Sequence, residues 1–234
     1  MRIWDVNPGY LNRQSLLGEH RELHAIVSIL VNNKKGYSRH PETLRWVGFG
    51  WALNQRHRLL AAEMNLRGYK DQSPVRLKNH HQKWPDVFVD QPAVQFFILS
   101  GKYKNIEQGR IPLPKSVQQL WAQHQYSVMA RDDAEYKYLG GWSASRKSGK
   151  GISDIYPELV SLLRCPPVEG NLRNAVQHMW DYVSPSASLS GKAIERKTTR
   201  GLLAEIRRLA FLHDVVYLKE STALGELQAW MRSL

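Results

Sequence analysis

Residues 12–31 read NRQSLLGEHRELHAIVSILV and carry the clearest helical pattern in the chain. One set of side chains in it recurs at steps of three and four residues: Leu16, His20, Leu23, Val27 and Leu30. That spacing places the set on one face of an amphipathic helix. Asn12 is predicted to cap the start of the helix, and the following residues 32–36, NNKKG, predict its end.

Helical patterns of the same kind continue along the chain. A second helix is predicted from Pro41 to Leu66 with a stop at Gly68. Prolines punctuate residues 69–115, which we interpret as a long connection with one short helix or strand at 94–99. Further helices are expected at 117–134, 152–164, 171–183, 198–213 and 223–231, with a glycine joint at 140–141. The predicted fold is all-α, with an N-terminal helical module packed against a C-terminal one.

The composition favours a polyanion as the partner. The chain has 234 residues, and 33 Lys and Arg against 21 Asp and Glu give a net charge of +12. Positive charge raises affinity for phosphate backbones, and eight Trp with ten Tyr add rings that can stack among bases. No apolar run is long enough to cross a bilayer, and the first residues lack the apolar core of a secretory signal. We therefore expect a soluble, cytoplasmic protein that contacts no membrane.

Two segments carry a family resemblance: residues 1–4, MRIW, and residues 14–24, QSLLGEHRELH. They resemble the pyrimidine-dimer DNA glycosylase family, whose phage member is often called endonuclease V. That family opens with Arg-Ile and then carries Gln-x-Leu-x-x-Glu-x-Arg-Glu-Leu, which here runs from Gln14 to Leu23. A weaker likeness continues to residue 69, and we assign residues 1–116 to this catalytic module.

The resemblance implies catalysis by an α-amine and one carboxylate. In the family, the first residue's amine attacks C1′ of the damaged nucleotide, expels the base and forms a Schiff base, and a helix glutamate assists β-elimination. An α-amine suits this role because its reference pKa is about 7.7–8.0, against about 10.4 for lysine. Met1 and Glu22 occupy these positions here. Met1 is expected to be retained because the bulky Arg2 follows it, and the chemistry needs neither a metal nor another cofactor.

The resemblance also implies a partner, damaged double-stranded DNA. Arg21 matches a family arginine and would hold a phosphate near the lesion. Arginines and a tryptophan also bracket the start of the second helix. The residues expected to contact DNA are Arg2, Arg13, Gln14, Arg21, Arg39, Arg45 and Trp46. UV dimers, other damaged bases and abasic sites stay open as lesions, and the sequence does not reveal the oligomeric state.

Three alternatives accompany this interpretation. His20 and His24, four residues apart, could share a metal ion, but the sequence identifies no third ligand, so we expect no metal site. Glu19 is interpreted as a charge on the helix surface. The alternative function is a non-catalytic basic nucleic-acid-binding protein that retains the glycosylase-like fold.

The C-terminal half carries a second resemblance. Residues 125–131, QYSVMAR, and 174–179, NAVQHM, are similar to the YbgA-like bacterial domain, a helical domain without a settled activity. The likeness covers about residues 117–232. It predicts a division into a catalytic domain, 1–116, and a second helical domain, 117–234.

Overall fold

The computed structural model describes residues 1–75, 77, 82–145, 151–187, 194 and 196–231. The chain forms two compact units, Met1–Gly109 and Arg110–Leu234. Regular structure in the described residues is entirely helical, which confirms the all-α prediction. None of the described helices combines the length and hydrophobicity that crossing a bilayer requires. The functional assignment of 1–116 and 117–234 stays a prediction.

The first long helix of the N-terminal unit is α1, Arg13–Asn32. Asn12 caps it, because its side-chain oxygen accepts a hydrogen bond from the Ser15 amide at 2.9 Å. The helix ends at Asn33, which adopts the left-handed conformation with φ 49°. The Asn33 amide donates a hydrogen bond to the Ile29 carbonyl. The predicted helix and its N-cap are confirmed.

Two helices replace the single one predicted from Pro41 to Leu66. They are α2, Pro41–Arg45, and α3, Gly50–Leu66. Between them the chain turns through Gly48, whose φ of 84° is a conformation that only glycine adopts readily. Gly68, with φ 82°, follows the end of α3 as predicted. The prediction joined α2 and α3 because both carry apolar residues at helical spacing.

The last helix of this unit is α4, Pro92–Lys102, where a short helix or strand was expected. The chain after it packs on the start of α1. The Tyr103 hydroxyl accepts the Asn12 amide at 2.9 Å, and the Asn12 side chain donates to the Glu107 carbonyl at 3.1 Å. A Cβ at Gly109 would lie 2.4 Å from the Tyr10 backbone, so this approach requires glycine.

The C-terminal unit has seven α-helices among its described residues. They are α5 Val117–Met129, α6 Asp133–Ala144, α7 Ile152–Leu163, α8 Glu169–Asp181, α9 Thr199–Leu212, α10 Val216–Lys219 and α11 Ala223–Trp230. The helix predicted over 117–134 ends early because Asp132 accepts the amides of Ala134 and Glu135 and starts α6. The joint expected at 140–141 was wrong, since both glycines lie inside α6.

Two buried polar side chains, one on α5 and one just after it, make contacts inside this unit. Arg131 donates to the carbonyls of Ser127, Leu163 and Cys165, and its guanidinium pairs with Glu226 at 2.8 Å. His124 is fully buried and its Nδ1 faces the Leu120 carbonyl oxygen at 2.9 Å. Burial lowers the pKa of His124 to about 4, because the imidazolium would lose its hydration.

We expect His124 to make the protein less stable in acid. The unfolded state binds its proton near pH 6.5 and the folded state only near pH 4, so stability is lost as the pH falls between these values. The contribution amounts to about 2 kcal/mol between pH 7 and pH 5. Urea unfolding at both values should show that His124→Phe removes this part of the pH dependence. The matched variant His178→Gln, at an exposed histidine, should keep it. If the free energy of unfolding fell by the same amount from pH 7 to pH 5 in wild type and in His124→Phe, the assignment would be contradicted.

Candidate active site

The N-terminal segment lies antiparallel to α1 and is held there by two carboxylates. The Arg2 amide donates to Glu22 Oε2 at 2.5 Å, and the Trp4 amide donates to Glu19 Oε1 at 3.2 Å. Amides two residues apart point the same way in an extended segment, and residues three apart share one face of a helix. A step of two residues in the segment therefore matches a step of three residues on α1. The segment is fixed at these two points along the helix.

The first of these contacts brings the two predicted catalytic residues together. Glu22 and Met1 are both half-buried. The Glu22 carboxylate binds the amide directly after Met1, and backbone geometry keeps the α-amine within about 4 Å of that amide nitrogen.

Glu19 is not a surface charge, and that interpretation was wrong. Its side chain is buried and forms a two-pronged ion pair with Arg56 of α3, at 2.6 and 2.8 Å. Arg56 also donates to the Val6 carbonyl at 2.9 Å. Burial raises the pKa of Glu19 to about 7, against the opposing charge of Arg56. The signal was present in the sequence, since Glu19 follows Leu16 by three residues and precedes Leu23 by four.

Two of the predicted DNA contacts, Arg45 and Trp46, are buried. Arg45 pairs with Asp5 and, at 3.2 Å, with Glu42. The Trp46 indole donates to the same Glu42 carboxylate at 3.0 Å. These residues therefore hold the N-terminal segment from inside the unit and present almost no surface to a ligand.

The other predicted contacts have accessible side chains. Arg2 pairs with Asp90 at 2.5 Å, lies over the Trp4 ring, and is one-third exposed. Arg13 is exposed and its Nε donates to the Tyr69 hydroxyl at 3.1 Å. Three more predicted side chains are exposed: Gln14, Arg21 and Arg39.

A cluster of three histidines and one aspartate lies on another side of α1. The four residues are His20, His24, His57 and Asp71, and their ligand-type atoms all lie within 4.8 Å of one another. Burial lowers the pKa of His57 to about 4 and also lowers that of His24, so both rings are neutral at neutral pH. Sequence reasoning found the first two residues but missed His57 and Asp71, because they approach only when α3 packs on α1.

The family model described as pyrimidine dimer DNA glycosylase matches residues 1–77. The match covers α1, α2 and α3, and every predicted site residue lies within it. No curated protein matches the chain, and no solved structure does. The resemblance of residues 117–232 to the YbgA-like domain stays a prediction.

The ion pair between Glu19 and Arg56 gives a stability prediction. Arg56→Met should lower the free energy of unfolding by about 3–5 kcal/mol, because it leaves a buried carboxylate without its partner. The loss should be larger at pH 8 than at pH 5.5. Without the Arg56 charge the pKa of Glu19 rises further, so the folded variant holds the proton over more of this window than wild type does and loses more stability as the pH rises.

Urea unfolding of wild type and variant at the two pH values measures both effects. The matched control is Arg21→Met, at an exposed arginine of α1, which should change stability by less than about 0.5 kcal/mol. A pH-independent loss in Arg56→Met would show that Glu19 takes up no proton when its partner is removed, and would contradict the assigned pairing.

Proposed function

We propose that this protein is a DNA glycosylase with associated AP lyase activity on damaged duplex DNA. The observation that carries the proposal is the 2.5 Å hydrogen bond from the Arg2 amide to Glu22, which holds a carboxylate on the peptide group directly after the N-terminal amine. The match of residues 1–77 to the pyrimidine dimer DNA glycosylase family supports the same chemistry.

The proposed reaction starts at the α-amine of Met1. At neutral pH about a tenth of an ordinary α-amine is unprotonated, and its lone pair attacks C1′ of the damaged nucleotide. The bond from C1′ to the base breaks, and the base leaves with the bonding electrons and takes up a proton. Opening of the sugar ring then gives a Schiff base between the amine and C1′. Loss of a C2′ proton eliminates the 3′ phosphate, and water releases the product from the amine.

Glu22 is assigned to the proton transfers of this sequence. The Arg2 amide donates to Glu22 Oε2 and so fixes the carboxylate relative to the chain start. We assign the proton to the other oxygen, Oε1. A carboxylate positioned in this way can take a proton from the attacking amine and return it during ring opening. Because the Glu22 carboxylate is already held in place, it does not have to be ordered during the reaction.

The proposed DNA surface consists of the predicted contacts whose side chains are exposed. Gln14 and Arg21 are seven residues apart, so they share one face of α1. Arg13 lies one residue before Gln14, and Arg39 lies just before α2. Arg45 and Trp46 are left out because they are buried. The net charge of +12 adds attraction for phosphates that does not depend on sequence.

Borohydride trapping tests the catalytic proposal. Wild-type protein incubated with duplex DNA containing an abasic site or UV lesions should form a reduced covalent adduct, and peptide mapping should place it on the Met1 α-amine. Protein acetylated at that amine, or extended by one residue before Met1, should form none, because the nucleophile is blocked or displaced. Glu22→Gln keeps an acceptor for the Arg2 amide and should slow strand cleavage by about 10²–10⁴-fold.

The matched control is Glu107→Gln, at an exposed carboxylate of the same unit, which should cleave at the wild-type rate. An adduct that maps to a lysine would overturn the assignment of the amine. Folded protein that binds duplex DNA but gives no adduct on any lesion would favour the non-catalytic binding protein.

The salt dependence of binding tests the DNA surface. Arg21→Gln should weaken duplex binding and reduce the slope of log K against log salt by about 1, because one phosphate contact is lost. Arg13→Gln and Arg39→Gln should behave alike. Lys102→Gln, at an exposed lysine on α4, serves as the control and should leave the slope unchanged. Fluorescence anisotropy at several salt concentrations measures all four, and unchanged slopes in the arginine variants would contradict this surface.

A further inference from the structure

The cluster of His20, His24, His57 and Asp71 has no part in the reaction described above. His20 and His24 project from successive turns of α1, His57 comes from α3, and Asp71 follows Gly68. We propose that these four residues form a binding site for a divalent transition metal ion of the zinc type. The proposal concerns a different face of α1 from the Schiff-base site and does not depend on it.

The distances within the cluster fit a tetrahedral ion. His20 Nε2 lies 3.3 Å from His24 Nε2 and 3.2 Å from Asp71 Oδ1, and His57 Nε2 lies 3.5 Å from Asp71 Oδ2. Ligands at about 2.0–2.1 Å from a tetrahedral zinc are separated from one another by about 3.3–3.4 Å. Three contacts in the cluster, at 3.2, 3.3 and 3.5 Å, are close to this separation, and the four ligand atoms lie within 4.8 Å of one another, so side-chain movement would bring the remaining ligand atoms together.

The hydrogen bonding of the cluster also points to a cation. His57 Nε2 is buried and makes no hydrogen bond to any described residue. His20 Nε2 faces a carboxylate oxygen and a second imidazole nitrogen at the same time, and a single N–H cannot serve both well. A buried ring nitrogen without a hydrogen bond is unfavourable, whereas a metal ion accepts the lone pairs of all three rings together with the carboxylate charge.

The donor set selects the class of ion and its role. Three imidazoles and one carboxylate suit Zn²⁺ and its neighbours in the first transition row, while Mg²⁺ and Ca²⁺ prefer oxygen ligands. Four protein ligands close the coordination shell of zinc, as in structural sites. The ion would tie the residues after α3 to α1. Tyr69 lies in that segment and contacts Arg13, so the ion would also steady one arginine of the proposed DNA surface.

The site is separate from the proposed catalytic carboxylate. At 100° per residue, Glu22 points about 160° away around the α1 axis from both His20 and His24. Loss of the metal is therefore expected to reduce stability and DNA affinity before it affects the chemistry at Met1. Failure of the metal proposal would leave the Schiff-base proposal standing, and the reverse also holds.

Metal titration of the full chain tests the proposal. Protein stripped with a chelator and shown by circular dichroism to be folded should bind one equivalent of Zn²⁺ in competition with a chromophoric chelator. Bound Co²⁺ should show the visible absorption of a tetrahedral ion, which a merely adventitious surface ion does not give. Adding Zn²⁺ to the stripped protein should raise its melting temperature.

Ligand variants and a matched histidine complete the test. His24→Gln and Asp71→Asn should each weaken zinc binding by at least about 100-fold, the upper figure for loss of an outer-shell partner. His178→Gln, at an exposed histidine of the C-terminal unit, should bind as wild type does. Folded wild-type protein that binds no stoichiometric zinc, or an Asp71→Asn variant with wild-type affinity and cobalt spectrum, would overturn the proposal.

Discussion

The buried ion pair between Glu19 and Arg56 joins three parts of the N-terminal unit. It links α1 to α3, and its two members also bind the backbone of the N-terminal segment at Trp4 and Val6. Neither charge has much access to water, so each depends on the other for compensation. Because both ends also hold the segment, the same pair that connects the helices fixes the position of the chain's first residues.

A second set of buried charges holds the same segment at Asp5, between the Trp4 and Val6 contacts. Asp5 binds Arg45 and the side chain of Gln95, and its amide donates to Gln95 as well. Burying these groups is unfavourable unless every one is paired, and a short apolar segment could have packed there at lower cost. The buried charges instead fix the position and orientation of the segment. Hydrogen bonds define where each amide lies, and the nucleophile proposed at Met1 would depend on that definition.

Local signals in the sequence predicted much of the fold and supplied the residue at the centre of the proposed site. Asn12 and Gly68 mark helix ends by their own chemistry, and the family pattern pointed to Glu22. Signals that depend on distant partners failed. Arg45 has the sequence context of a surface arginine, because its ion-pair partner Asp5 lies 40 residues earlier in the chain. His57 and Asp71 likewise gain meaning only when α3 packs on α1. Spacing within one helix cannot reveal a contact that tertiary packing creates.

The arrangement of α1 explains how one helix can serve several purposes. Leu16, Glu19, Leu23 and Ile26 form its buried stripe. Glu22 stands at one edge of that stripe and the pair of His20 and His24 at the other, while Arg21 faces solvent between them. The edges of a buried stripe are partly dehydrated yet still reachable, which is where a carboxylate or an imidazole can exchange protons or hold an ion. Each edge is completed by a different part of the chain: the N-terminal segment on the Glu22 side, and α3 with the residues after it on the histidine side. The two edges can therefore change independently in evolution as long as the stripe between them is kept.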